Sequence, residues 1–174
     1  DKDVDKLIEV MNKMPPNTIF MTSYDFLIRD KYEVPLQEKR DKNGDLVDYE
    51  YTTVYPIPKL LLQEVGIDMV YCDESQAIKN SKSGRSEAVA ALSGAKIKRI
   101  TSGTIIPNNP VDLFAQLRFV DPSILGTYDS FIHRYAEEGS RGKVTKWKDG
   151  AQKRIREEIE RKGGVSIRRS MWRW

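Results

Sequence analysis

Ten residues, Ile67 to Gln76 (IDMVYCDESQ), constrain this chain more than any others, because a short apolar run there ends abruptly in two adjacent carboxylates. Ile67, Met69, Val70, Tyr71 and Cys72 lack helical periodicity and lie between Gly66 and the acids, which predicts a strand buried on both faces. Asp73 and Glu74 then stand at its carboxyl end, the edge of an open α/β sheet where ligands bind. An Asp-Glu pair in that place can divide two tasks. One carboxylate holds a hydrated Mg²⁺ on a nucleotide, and the other orients and deprotonates an attacking water. Two acids that merely close a strand in a solvated turn have the same sequence, and the pair alone does not separate the two readings.

The rest of the chain can supply a core around such a strand. With 174 residues, 39% hydrophobic and 32% charged, it has the size and balance of one soluble globular domain. No run approaches the roughly 18 apolar residues that span a bilayer. The first residues, DKDVDK, are not a basic and then apolar signal segment, so the expectation is an intracellular protein with no membrane partner. Cys72 is the sole cysteine, which excludes an internal disulfide and a multi-cysteine zinc site; inside a strand it reads as a small core residue.

The net charge of +3 is unevenly spread. Residues 141–174 hold twelve Lys or Arg against four Asp or Glu, a net of +8, whereas residues 1–140 carry −5. The basic end is the candidate for a polyanion, with Arg168 and Arg169 near phosphate. Trp147, Trp172 and Trp174 lie among these charges, and docking against a part of the protein outside this chain is favoured over base stacking.

Along the chain, Val4, Leu7, Ile8 and Met11 predict a helix from about Val4 to Lys13, stopped by Pro15-Pro16. Thr18 to Thr22 reads as a short strand, after which Ser23 caps a helical turn. Between Lys31 and Pro56 the pattern loosens around Asn43-Gly44, the signature of a hairpin, here a surface insertion to which no chemistry is assigned. Pro58 to Val65 predicts a helix ended by Gly66. After the acids, Gly84 to Leu92 is helical with Val89, Ala90 and Leu92 inward, and Ile97 to Ile100 alternates as a less buried strand. Helices over 111–119, 128–137 and 152–162 follow. The last has a narrow seam of Ala151, Ile155 and Ile159, with Glu157–Arg161 and Glu158–Lys162 at i, i+4, and it wants a neighbour. His133 has no Ser, Cys or second His motif beside it and is given no role.

The stretch from Asp73 to Ala136 closely resembles the Swi/Snf-type DNA translocases of helicase superfamily 2. The matching elements are a DEAH-like box at Asp73 to Gln76, an Ile-Lys-Asn turn at Ile78 to Asn80, and a Gly-Thr loop from Ser102 to Asn109. Upstream, FMTSYDFLIRD from Phe20 to Asp30 is similar to the family's Thr-Thr-Tyr segment; downstream, SIRRS from Ser166 to Ser170 is similar to its Arg-Arg element. The resemblance implies an α/β fold: a partial RecA-like lobe with a mostly parallel sheet flanked by helices, the hairpin insertion at 31–56, and a basic helical appendage or connector over 141–174.

It also implies roles. Asp73 serves Mg²⁺, Glu74 the hydrolytic water, and Gln76 with Ser102, Gly103 and Thr104 the coupling. Thr22, Ser23 and Tyr24 touch the backbone of the tracked double-stranded DNA, since hydroxyls hydrogen-bond phosphate oxygens without reading sequence. Read from the residues alone, Thr22 and Ser23 only cap a helix. Lys79 lies near nucleic acid or is a solvated turn residue. ATP and Mg²⁺ are the cofactors implied for the complete parent protein.

Two departures stand out. Gln76 occupies the position where the family often has His, so a relay there lacks a cationic state, and Ile105 stands where Pro usually follows Gly-Thr. No G-x-x-x-x-G-K-[ST] occurs in the sequence, which implies the latter half of the first lobe, with the P-loop half and second lobe as missing partners. The resemblance further implies that the P-loop strand separates the acidic strand from the Gly-Thr strand, so that these two pair differently here or leave a gap. A fold-retaining nucleic-acid-binding or assembly module without turnover is the alternative.

Overall fold

The structure, a computed structural model, describes residues 2–103, 109–123, 125–139 and 144–163. Helix α1 (Lys2–Asn12) brings Met11 and Leu7 to the core. The expected strand over 18–22 is absent: residues 18–23 are extended without a sheet partner among the described residues, and Ile19 and Met21 are 85% and 87% exposed. A strand needs a ladder to satisfy its backbone, and none is supplied there. Ser23 then caps α2 (Tyr24–Leu27), its hydroxyl accepting from the Phe26 N–H at 3.2 Å.

The insertion is a hairpin of two nine-residue strands, β1 (Tyr32–Arg40) and β2 (Leu46–Val54). Its turn is organised by Asp41, whose carboxylate accepts from the N–H groups of Asn43 and Asp45 at 2.8 and 3.0 Å, with Gly44 at φ +88°. Helix α3 (Pro56–Leu60) widens into a π-turn over Leu61–Val65 that Gly66 ends in the left-handed conformation. Strand β3 (Met69–Cys72) follows, then a 3₁₀ turn at Ser75–Ile78 and α4 (Gly84–Ala90), capped by Ser83. Within α4 the inward residues are Ala88 and Val89, while Ala90, expected inside, is exposed.

Strand β4 (Ile97–Ile100) lies parallel to β3, pairing from Met69↔Ile97 to Cys72↔Ile100. The two strands are thus direct neighbours: of the two arrangements expected for this chain, altered pairing or a gap, the structure has the altered pairing. The prediction that β3 is buried on both faces fails: Val70 and Cys72 are buried, but Met69 and Tyr71 are 44% and 54% exposed. Helices cover one face of this two-stranded sheet, and Ile97 shares the open face.

The remaining elements are α5 (Pro110–Val120), α6 (Tyr128–Tyr135), β5 (Ala136–Glu138), β6 (Val144–Trp147) and α7 (Ala151–Gly163). Helix α6 ends two residues earlier than its pattern suggests because the chain turns into β5, which pairs antiparallel with β6.

Two hydrophobic clusters result. The first lies under β3 and β4, with Leu27, Ile57, Ile78, Val89 and Leu92. The second joins α5, α6 and α7 through Leu113, Phe131, Ile155 and Ile159. The seam of α7 therefore finds its neighbour within the chain, each fully buried isoleucine contributing about 1.5–3 kcal/mol. Trp147 does likewise, packing edge-on to Phe131 at 6.2 Å between centroids, so its dock is internal. Glu158 is engaged by the Tyr135 hydroxyl, and Arg134 lies 3.8 Å away, a cross-helix arrangement that i, i+4 spacing does not anticipate.

Candidate functional site

The end of β3 is locked to the end of β4 by one residue, Thr101. Its N–H donates to the Cys72 carbonyl at 2.9 Å, and its own carbonyl accepts from the Ser75 N–H at 2.8 Å. Its hydroxyl donates to Asp73 Oδ1 at 2.7 Å and accepts from the Tyr71 hydroxyl at 3.2 Å. The first carboxylate of the pair is thus held by the neighbouring strand.

Glu74 sits at φ +50°, ψ 52°, a left-handed conformation that costs a side-chain-bearing residue about 1–3 kcal/mol. This turn tips the chain out of the sheet and into the 3₁₀ turn. It leaves the second carboxylate exposed at the sheet edge, where Gln76 reaches back to it: Nε2 donates to Glu74 Oε2 at 2.5 Å. The same amide accepts from Ser102 Oγ at 2.8 Å. One side chain therefore bridges Glu74 and the loop after β4. Around Gly103 there is room, since a Cβ there would meet nothing within 4 Å.

Beneath the turn, Ser75 is fully buried and donates to Gln116 Oε1 of α5 at 2.6 Å, and Gln116 Nε2 donates to the Asp112 carbonyl at 2.9 Å. Ser75 and Gln116 are the two buried polar residues among those described. Burial strengthens such a bond and makes its loss costly. Lys79 leans the same way, its ammonium 3.7 Å from Asp112 Oδ2, so the Ile-Lys-Asn turn is tied to α5 by charge as well.

From the other side, the Tyr24 hydroxyl donates to the Asp73 carbonyl at 2.6 Å. Burial, then Cys72, and then the Asp73 and Glu74 charges raise its pKa well beyond the ordinary phenol range, so it stays a donor. Burial likewise pushes the Cys72 thiol up to about 11, which makes it an inert thiol at neutral pH.

Glu74, Gln76 and Ser102 are thus joined by hydrogen bonds, and Asp73 is held beside them by Thr101 and, through its carbonyl, by Tyr24. Thr22 is exposed two residues before Tyr24, and Ser23 is occupied as the α2 cap. Thr104, Arg168 and Arg169 lie outside the described residues. Sequence reasoning gave no role to Tyr71, Asp112 or Gln116. Gln116 carried a signal, being a glutamine inside the apolar stripe of α5 beside Leu117.

The profile of the SNF2-related domain matches residues 2–171. The chain belongs to the SNF2-related domain family. Among curated relatives, a transcriptional regulator ATRX homolog of Drosophila melanogaster is 33% identical over 84 residues, covering 48% of this chain and 6% of that protein. A DNA repair and recombination protein RAD54-like of Drosophila willistoni is 35% identical over 118 residues, 66% of this chain and 14% of its own length. Its counterpart in Drosophila virilis is 31% identical over 122 residues, 69% and 15%. The SNF2-related chain therefore spans a small part of these relatives. None of its described helices is long and apolar enough to cross a membrane.

Proposed function

We propose that this chain carries the hydrolytic acidic box and the coupling loop of an ATP-driven motor acting on double-stranded DNA. The observation that carries the reading is the Gln76 bridge from Glu74 to Ser102, because a motor needs its hydrolytic carboxylate joined to a segment that can change partners. Gln76 offers a donor to one side and an acceptor to the other, so loss of either bond is felt by the second. Glu74 is the group that orients and deprotonates the attacking water, and its left-handed backbone aims it away from the sheet.

Asp73 fits a magnesium site of the kind in which one carboxylate, waters and nucleotide phosphates complete the shell: it is an exposed hard-oxygen ligand fixed by Thr101. When bound, that ion supplies charge neutralisation at the phosphates. Tyr24 joins the DNA-facing segment to the same box, so a backbone contact at Thr22 is two residues from the Asp73 carbonyl. The reading treats residues 1–140 as the latter part of a first RecA-like lobe and 141–174 as a basic connector, with the phosphate-cradling half and a second lobe supplied by the complete protein.

The test is Glu74→Gln in the full-length protein. ATP binding is retained and hydrolysis falls by roughly 10² to 10⁴, the range for general-base assistance. Near-normal turnover returns Glu74 to a strand-ending role and favours a module that keeps the fold without catalysis. The 174-residue chain by itself, lacking a P-loop motif, hydrolyses no ATP with or without duplex DNA.

A further inference from the structure

The β1–β2 arm is the largest feature that the proposed motor does not use. Ladder partners place Pro35 opposite Tyr51 and Glu38 opposite Tyr49, so Tyr49 and Tyr51 share a face, and their rings meet at 6.4 Å between centroids. These two residues are 37% and 55% exposed. Asp48 and Glu50 point to the opposite face. Residues 32–54 hold six acidic against three basic side chains, a net of −3, while the remainder of the chain is +6. Phosphate is therefore repelled from the arm, and a cationic partner is attracted.

The two outer edges differ. Strand β1 carries Pro35, which lacks a donor, and a register shift between Pro35 and Gln37. Strand β2 contains no proline, and its own irregularity, at Val47, lies at the turn end, outside the regular stretch Asp48–Tyr51. Tyr51 also lines an open cleft whose far walls include Ala90 of α4 and Ala115 of α5, small side chains that leave depth beside the strand.

We infer that β2 is a docking edge for an extended segment of another protein in which Lys or Arg alternates with apolar residues. Added alongside β2, such a strand sets its cations beside Asp48 and Glu50 on one face and its apolar side chains beside Tyr49 and Tyr51 on the other. The tyrosine faces also receive a basic side chain by cation–π attraction. The period-2 pattern of the edge thus specifies the pattern of its partner. This inference does not depend on the ATPase reading.

The experiment uses the full chain and a fluorescein-labelled dodecapeptide alternating lysine and valine. A second peptide of the same composition, with lysines and valines in separate blocks, is the control. Anisotropy should show the alternating peptide binding about tenfold tighter, the sum of a few cross-strand pairs. Tyr49→Ser with Tyr51→Ser, and separately Asp48→Lys with Glu50→Lys, should each remove most of that preference. Circular dichroism confirms that the variants keep their fold. Equal binding of the two peptides overturns the inference, as does insensitivity to both double substitutions. Self-association of the chain that is abolished by the tyrosine substitutions also overturns it, assigning the edge to a second copy.

Discussion

The acidic turn and the hairpin arm are both exposed, and they are exposed for opposite reasons. At the turn, Asp73, Glu74 and Gln76 face solvent, yet hydrogen bonds from Thr101, Ser102 and Tyr24 hold them or their backbone in place. Four stretches distant in sequence converge there, and two buried polar residues support them from below. In the arm, eighteen strand residues make their ladder with each other, and apolar side chains such as Leu36 and Val47 are left in water. Exposure at the turn is combined with fixed geometry, the condition that a preorganised site requires. In the arm it is unused contact area. Relative accessibility alone does not tell the two apart; the number of distant chain segments bonded at the point does.

The comparison breaks first at high pH if the turn is not as tightly buried beneath its surface as the structure indicates. Cys72 has an ordinary pKa of 9.0 when unfolded and about 11 when folded, burial being the main cause. Between those values the unfolded chain has lost the proton that the folded chain keeps, so stability falls as pH rises. The contribution is complete below pH 9 and is gone above about 11, a loss on the order of 2–3 kcal/mol. Tyr24, shifted in the same direction, steepens the fall. Urea midpoints taken from pH 8 to 11 check this, and Cys72→Ala should flatten the slope. An unchanged slope would show that the thiol is not desolvated in the folded state.

A smaller effect tests the support beneath the turn. Gln116→Leu leaves the Ser75 hydroxyl buried without its partner, at a cost of about 1–3 kcal/mol. Ser75→Ala added to it removes the orphan and should recover most of that stability, because an apolar pair of matching shape has no desolvation debt. A double-mutant cycle reads the coupling directly. Additive losses would mean that the bond does not form.

That pair also marks where sequence reading stopped. The strand, the acids and Gly66 were legible because they are contiguous and because Gly at φ +71° has a local reason. The cap at Ser23 was similarly local. Ser75 and Gln116 are 41 positions apart, and nothing in either neighbourhood announces the other. Met69 and Tyr71 were misread for a different reason. Apolar residues in a strand state what a face can tolerate, whereas its covering depends on how many layers the chain supplies. Trp147 shows the converse: its setting among charges suggested an outside dock, but the partner, Phe131, is sixteen residues away on α6.

The smallest predicted effect concerns the arm. Val47→Thr and Leu36→Thr change side chains that are 62% and 65% exposed in the folded hairpin, so little transfer energy is at stake. Each should shift stability by no more than about 0.5 kcal/mol, as for surface positions away from special features. β propensity adds at most a few tenths, since Thr replaces Val with another β-branched residue. The arm's amides should also exchange with solvent faster than those of Val70 and Cys72, because its ladder has no helix layer over it. Hydrogen exchange measured residue by residue, alongside urea midpoints for the two variants, decides the matter. Losses well above 1 kcal/mol, or arm amides as protected as those of β3, would mean that the arm is packed in solution and that its contrast with the acidic turn does not hold.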